Sequence, residues 1–253
     1  MSSRRGVKGE IPLLIAVALI LALVIKAFFV QAFFIPSESM EKTLHGCPGC
    51  NGDRVLVNKL VYQFRDIHRG EIVVFRGPPS WEAEVPSPKS SGNPLRQLLR
   101  GVGRAVGAAP PSEKDFIKRV IGIPGDVVQC CDVDGRVVVN GVALRESYLY
   151  EDDHQRFGPV TVPKGRLWVM GDHRGASGDS RAHQDDHDGT IPERNVIGRA
   201  FVKVWPPKRV GWLPVPKTFL AGPASSAVPF GSGVLGAVGV LAVRRRTRRL
   251  AVV

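Results

Sequence analysis

Hydrophobic positions form two long uncharged blocks near the ends of the chain and short β-type runs between them. From Ile11 to Ile25 no charge interrupts the sequence. With Lys26 and the AFFV that follows, the block approaches the roughly 20 residues a helix needs to cross a bilayer. Lys26 lies near its far end, where a lysine extends its ammonium to the interface. The pattern predicts a basic cytoplasmic tail over 1–10 and a transmembrane helix over 11–30. No small-x-small site follows, which argues against a cleaved leader. A second uncharged block, 219–243, is rich in Gly, Ala and Ser and runs straight into Arg244, Arg245, Arg246, Arg248 and Arg249. It predicts a second span with a cytoplasmic tail over 244–253.

Between the blocks the pattern is β. DRVLVNKLVY, GEIVVF, DFIKRVIGI, GRVVVNG, GPVTV, GRLWVMG and GRAFVKVW are short β-branched runs bounded by Gly, Pro, Asp or Asn. They predict a mainly β domain over 31–218, a twisted antiparallel assembly built as a sandwich or a partly closed barrel. Residues 78–111 differ, being rich in Pro, Ser and Gly, and read as an inserted surface excursion. Within it Leu95, Leu98, Leu99, Val102 and Val106 share one helical face and Arg96, Arg100 and Arg104 another. Two readings stand: a basic amphipathic helix on anionic lipid, and a helix or linker belonging to the domain itself.

Composition changes the picture in two ways. The formal net charge of +12 suggests nucleic acid, yet the two tails, each flanking an apolar block, carry seven of those charges. That is the distribution of cytoplasmic membrane flanks, not of a groove following phosphates. Four cysteines, Cys47, Cys50, Cys130 and Cys131, fall in the external part, where disulfides persist. They allow three pairings. Adjacent cysteines rarely bridge without strain, which favours a cross-link between the CPGC loop and the Cys130–Cys131 strand. A four-thiolate zinc site is the alternative.

Three clusters carry candidate chemistry. FFIPSESMEKTL, residues 33–44, follows the first apolar block almost directly. A serine hydroxyl there needs a neighbouring base to become a nucleophile. In FIKRVIGIPGD, residues 116–126, strand alternation puts Phe116, Lys118 and Val120 on one face. Apolar surroundings disfavour an ammonium, and a neutral lysine is a competent general base. MGDHRGASGDSR, residues 170–181, is glycine-broken and dense in hydroxyls and charges.

Together these clusters resemble the bacterial type I signal peptidases. IPSESMEKTL is similar to their nucleophile motif, FIKRVIGIPGD to their lysine motif and GDHRGASGDSR to their third block. GDRVLVNKLVY is similar to a structural block between them. The resemblance covers roughly residues 11–205, without the excursion, and the motif order matches. It implies a mainly β fold of twisted antiparallel sheets with an extended substrate groove. It implies Ser39 as nucleophile, Lys118 as general base, and the Ser37 hydroxyl and Ser39 backbone N–H as oxyanion donors. Ser177 is implied to hold the Lys118 amine, Asp179 and Arg181 to pair and fix the loop carrying Ser177, and Met40 to present an apolar side chain beside the nucleophile. The implied reaction removes signal peptides from secretory preproteins after a small-x-small site, at the outer face of the cell membrane, with both termini cytoplasmic. The implied partners are preproteins, membrane lipid and the translocation machinery, with no nucleic acid, no cofactor and no metal. Phe28, Phe29, Phe33 and Phe34 suit the membrane interface.

The chain departs from the family pattern at Glu38, Lys42 and His173, where glycine, proline and asparagine are commoner. Lys42 creates S-M-E-K, the Ser-x-x-Lys of penicillin-recognising enzymes, but their S-D-N and K-T-G motifs are absent. His183 and His187 with Asp185, Asp186 and Asp188 have metal-like spacing in an entirely polar segment, which reads as a solvated loop. His45 beside the CPGC loop is read in the same way.

Overall fold

The computed structural model describes residues 12–18, 21, 29–81, 114–151 and 153–220. Residues 12–18 are helical, with Leu13, Leu14, Ile15 and Val17 exposed. Among the described residues no helix is long and apolar enough to cross a membrane. The rest of the 11–30 span, the excursion beyond Trp81, the second span and both basic tails lie outside the described residues.

Twelve strands build the described part: β1 Val30–Phe34, β2 Arg54–Asn58, β3 Ile72–Arg76, β4 Asp115–Gly122, β5 Val127–Cys130, β6 Val137–Val139, β7 Val142–Ala143, β8 Phe157–Thr161, β9 Arg166–Met170, β10 Ile191–Pro192, β11 Val196–Trp205 and β12 Gly211–Trp212. All the strand pairings are antiparallel. The larger sheet runs β1-β2-β11-β3-β4-β9-β10, with β12 added on β11, and the smaller runs β7-β6-β5-β8. Each of the seven β-branched runs read in the sequence contains a strand.

β4 is the strand that positions the chemistry. Every residue from Phe116 to Gly122 is buried, because apolar clusters cover both faces. On one side Phe116 and Val120 pack with Val73, Phe75, Trp81 and Val169. On the other Ile117 joins Phe33, Ile35, Met40, Leu44, Val55 and Val57. Its continuation, Ile121, meets the smaller sheet through Val128, Val139, Phe157 and Trp168. A strand covered on both faces tolerates a charge only where a partner waits for it. β4 nevertheless carries Lys118 and Arg119, on opposite faces.

Two sequence expectations need correction. The cysteines pair as Cys47–Cys50, with Cα atoms 5.4 Å apart, and as Cys130–Cys131. The CPGC turn lies in the loop between β1 and β2 of the larger sheet, whereas Cys130 ends β5 in the smaller one, so each pair closes locally. No cross-link and no four-thiolate site is formed. The aromatic run after the first apolar block is also not simply an interfacial belt. It forms β1, which pairs with β2 over its whole length and buries Phe33 in the core, while Phe29 stays exposed.

Candidate active site

Ser39 sits in the loop that joins β1 to β2, and that loop is tied shut at its base. The Ile35 N–H donates to the Asp53 carbonyl (2.9 Å), the Asp53 N–H to the His45 carbonyl (2.7 Å) and the His45 N–H to the Asp53 carboxylate (2.9 Å). Arg209 donates to both oxygens of the fully buried Asp53, at 2.8 and 3.0 Å. The Lys203 ammonium donates to the Thr43 carbonyl at 3.0 Å. Met40 and Leu44, both without exposure, anchor the loop in the core. Met40, the residue after Ser39, is therefore a core residue.

From the other side the loop docks on the turn after β9. The His173 N–H donates to the Ser39 carbonyl at 3.1 Å. A Cβ on Gly171 would lie 2.4 Å from that carbonyl and 2.2 Å from Ser177 Oγ, so only glycine allows this approach. Ser39 is then 1% exposed and Lys118 has no exposure. Lys118 Nζ lies 2.7 Å from Ser39 Oγ, and Ser37 Oγ lies 3.2 Å from it. Two hydroxyls of one loop and an amine 79 residues away thus converge.

Asp179 and Arg181 pair as expected. Arg181 donates to Asp179 from its backbone N–H (3.1 Å) and from its guanidinium (2.9 Å), and its other nitrogens reach Asp153 and the Arg174 carbonyl, each at 2.8 Å. Burial would raise the Asp179 carboxyl. The hydrogen bonds and charge of Arg181, the Gly171 N–H and the charge of Lys118 outweigh it and hold the group below the usual carboxylate range. Ser177 is brought to the same place, yet its buried hydroxyl has no hydrogen-bond partner. The Ser177 hydroxyl lies against Gly171 and makes no hydrogen bond to Lys118.

Sequence reasoning did not assign the groups that lock this arrangement. Arg119, 2% exposed, donates to Asp172 at 2.8 and 2.6 Å and to the Gly70 carbonyl at 2.8 Å. Thr43 donates to the same carboxylate at 2.5 Å. One buried ion pair therefore joins all three motifs. Arg174 pairs with Glu146 and donates to the Gly171 carbonyl at 3.1 Å, while the Tyr148 hydroxyl donates to Glu146 at 2.5 Å. Burial, with the charge of Glu146 added, pushes the Tyr148 phenol well above its ordinary range, so it stays a donor. The available signal was an arginine and an aspartate in otherwise apolar or glycine-rich runs, at FIKR and GDHR.

His173 bridges Glu38 and Glu151, with Nδ1 3.3 Å from the Glu38 carbonyl and Nε2 3.2 Å from the Glu151 carboxylate. Most of the 183–188 segment is exposed, as a solvated loop is, but two of its side chains are engaged. The His183 ring stacks on the buried Trp81 with centroids 4.3 Å apart, and Asp186 holds Ser80.

The sequence matches the family described as "Signal peptidase, peptidase S26" over residues 9–205. It is 43% identical over 226 residues to the "Signal peptidase I" of Mycobacterium tuberculosis (strain ATCC 25618 / H37Rv), covering 83% of this chain and 76% of that protein. To the "Probable signal peptidase I" of Mycobacterium leprae (strain TN) it is 43% identical over 232 residues, covering 82% and 80%. To the "Signal peptidase I" of Leptolyngbya laminosa it is 35% identical over 217 residues, covering 84% and 89%. With a family match over most of its length and relatives this close, the chain belongs to the signal peptidases of peptidase family S26.

Proposed function

We propose that the chain is a membrane-bound serine endopeptidase that removes N-terminal signal peptides from secreted preproteins after a small-x-small site. The observation that carries this reading is the 2.7 Å contact between Lys118 Nζ and Ser39 Oγ, with both groups shut from solvent. Ser39 Oγ attacks the scissile carbonyl carbon as its proton passes to the Lys118 amine. The proton then goes to the leaving amine as the C–N bond breaks, leaving an ester on Ser39. A water activated by the same lysine hydrolyses the ester.

The Ser37 hydroxyl, 3.2 Å from Ser39 Oγ, and the Ser39 N–H are the donors for the oxyanion. Such donors count because charge develops on that oxygen in the transition state. Asp179 and Arg181 hold the turn that carries Gly171 and Ser177. A preprotein bound as an added strand would place alternate side chains in pockets, which explains small residues two apart. The apolar block at 11–30, and the block at 219–243 with its arginine run, anchor the enzyme with the domain outside and both termini in the cytoplasm. The exposed leucines of the 12–18 helix suit such an anchor.

Labelling with a serine-directed acylating inhibitor tests the pair. Covalent mass should appear on the peptide containing Ser39 and be lost in both Ser39→Ala and Lys118→Ala. Labelling elsewhere, or undiminished labelling of Lys118→Ala, would refute it.

A further inference from the structure

The loop that carries Ser39 holds a second constellation, which the peptidase chemistry does not use. One ligand atom each from His45, Cys47 and Cys50 lies within 4.8 Å of the other two. Cys47-Pro-Gly-Cys50 has the C-x₂-C spacing of thiolate metal sites. Gly49, at φ +80°, turns the backbone so that Cys50 N–H donates back to the Cys47 carbonyl at 3.2 Å, which brings both sulfurs to one side. His45 completes the set. Its Nδ1 is bound to the Glu41 carboxylate and its Nε2 faces Cys50 Sγ at 3.9 Å. A carboxylate on Nδ1 fixes the proton there and leaves the Nε2 lone pair directed at the sulfurs, the arrangement found behind metal-binding histidines.

We infer that, when Cys47–Cys50 is reduced, His45, Cys47 and Cys50 bind one zinc ion, with water as fourth ligand and Glu41 orienting the imidazole. Tetrahedral zinc holds its sulfur and nitrogen ligands about 4 Å apart, so the two sulfurs, bonded to each other in the oxidised turn, must part on reduction, while His45 Nε2, 3.9 Å from Cys50 Sγ, already lies at ligand spacing. The His45 side chain is 44% exposed, which gives the ion an open path.

The balance is simple. A dithiol reductant supplies two electrons and two protons, opening the disulfide to two thiols and closing to its own disulfide. Zinc then displaces the two thiol protons. Disulfide and metal are alternative clips on the same turn, and the turn matters. Gly46 packs so closely on the Ile35 and Ser37 carbonyls that a Cβ there would lie 2.6 and 2.5 Å from them. Whichever clip is present therefore sits against the segment that leads into Ser39. The metal site itself is independent of the peptidase reading.

The test is a Co²⁺ titration of the full chain in detergent, after reduction with a phosphine that is then removed. One Co²⁺ per chain should bind, with a thiolate-to-metal charge-transfer band, and the oxidised chain should show none. Cys47→Ser should lose the band, and His45→Ala should weaken binding at least about tenfold. Glu41→Gln should weaken it by about tenfold. The double variant Cys130→Ser/Cys131→Ser should bind as wild type does. No band in the reduced wild type, unchanged affinity in His45→Ala, or loss only in the Cys130/Cys131 double variant would each overturn the site. His45 is half-exposed, so its variant tests the idea without threatening the fold.

Discussion

Arg119 forks onto Asp172 through hydrogen bonds of 2.8 and 2.6 Å, and neither side chain reaches solvent. The neighbouring Lys118 meets Ser39 on the opposite face of the same strand. Since Thr43 shares the Asp172 carboxylate, this pair fastens the Ser39 loop, β4 and the turn after β9 to one another. Removing one member of a buried pair strands a charge, which typically costs about 3–5 kcal/mol. Arg119→Met should therefore lower the thermal midpoint in detergent sharply. Thr43→Val, which leaves Arg119 in place, should cost only about 2 kcal/mol. Equal midpoints for the two variants would show that the fork is not the fastening.

Gly171 lies against the Ser39 loop with no room for a side chain. An alanine there would press its methyl on the Ser39 carbonyl and the Ser177 hydroxyl, so the Ser39 loop must shift. Misplacing reacting atoms by about 1 Å can cost on the order of 100-fold in rate. Gly171→Ala should lose at least that much peptide-cleaving activity while keeping its β-sheet circular dichroism. Near-normal turnover would contradict the packing.

Acid should destabilise the domain through its buried carboxylates. Burial would raise Asp126, but hydrogen bonds from Arg69, the Ile123 N–H and Asn140, with the Arg69 charge, leave it below its ordinary value. Asp179 behaves alike. An unfolded carboxylate takes up its proton near pH 4, and the folded ones only at lower pH. Their stabilisation is thus complete above the unfolded value and is lost as pH falls through the folded one. The unfolding midpoint should fall from about pH 5 downwards, and Asp126→Asn should flatten that fall. A midpoint constant between pH 5 and 3 would contradict the assignment.

Ser177 offers a test in the opposite direction. Its buried hydroxyl lacks a partner, and an unsatisfied buried group carries a desolvation cost of about 1–3 kcal/mol. Ser177→Ala should be as stable as wild type or more so. Any role in holding Lys118 during turnover would then appear in kcat alone. A clear drop in thermal midpoint would show that the hydroxyl is satisfied in the folded state.

Strands and the three candidate motifs were legible in the sequence because both depend on local signals. β-branched runs between turn residues marked β2, β3, β4, β6, β8, β9 and β11, and the motif order brought Ser39 and Lys118 together before any geometry was known. β1 was harder to read. It follows the first apolar block with Lys26 the only charge between, and pairing with β2 sets a core Phe33 apart from an exposed Phe29. The Arg119–Asp172–Thr43 tie was hidden because its members lie 53 and 129 residues apart. The local closure of each cysteine pair depended on which sheet each half occupies, and sequence does not record that.

The central claim rests on Ser39 and Lys118, and the most direct measurement is processing of a purified preprotein bearing Ala-x-Ala by the full chain in detergent. Wild type should cut after that site, and Ser39→Ala and Lys118→Ala should both leave the preprotein intact. Continued cleavage by Ser39→Ala at the same bond would contradict the claim.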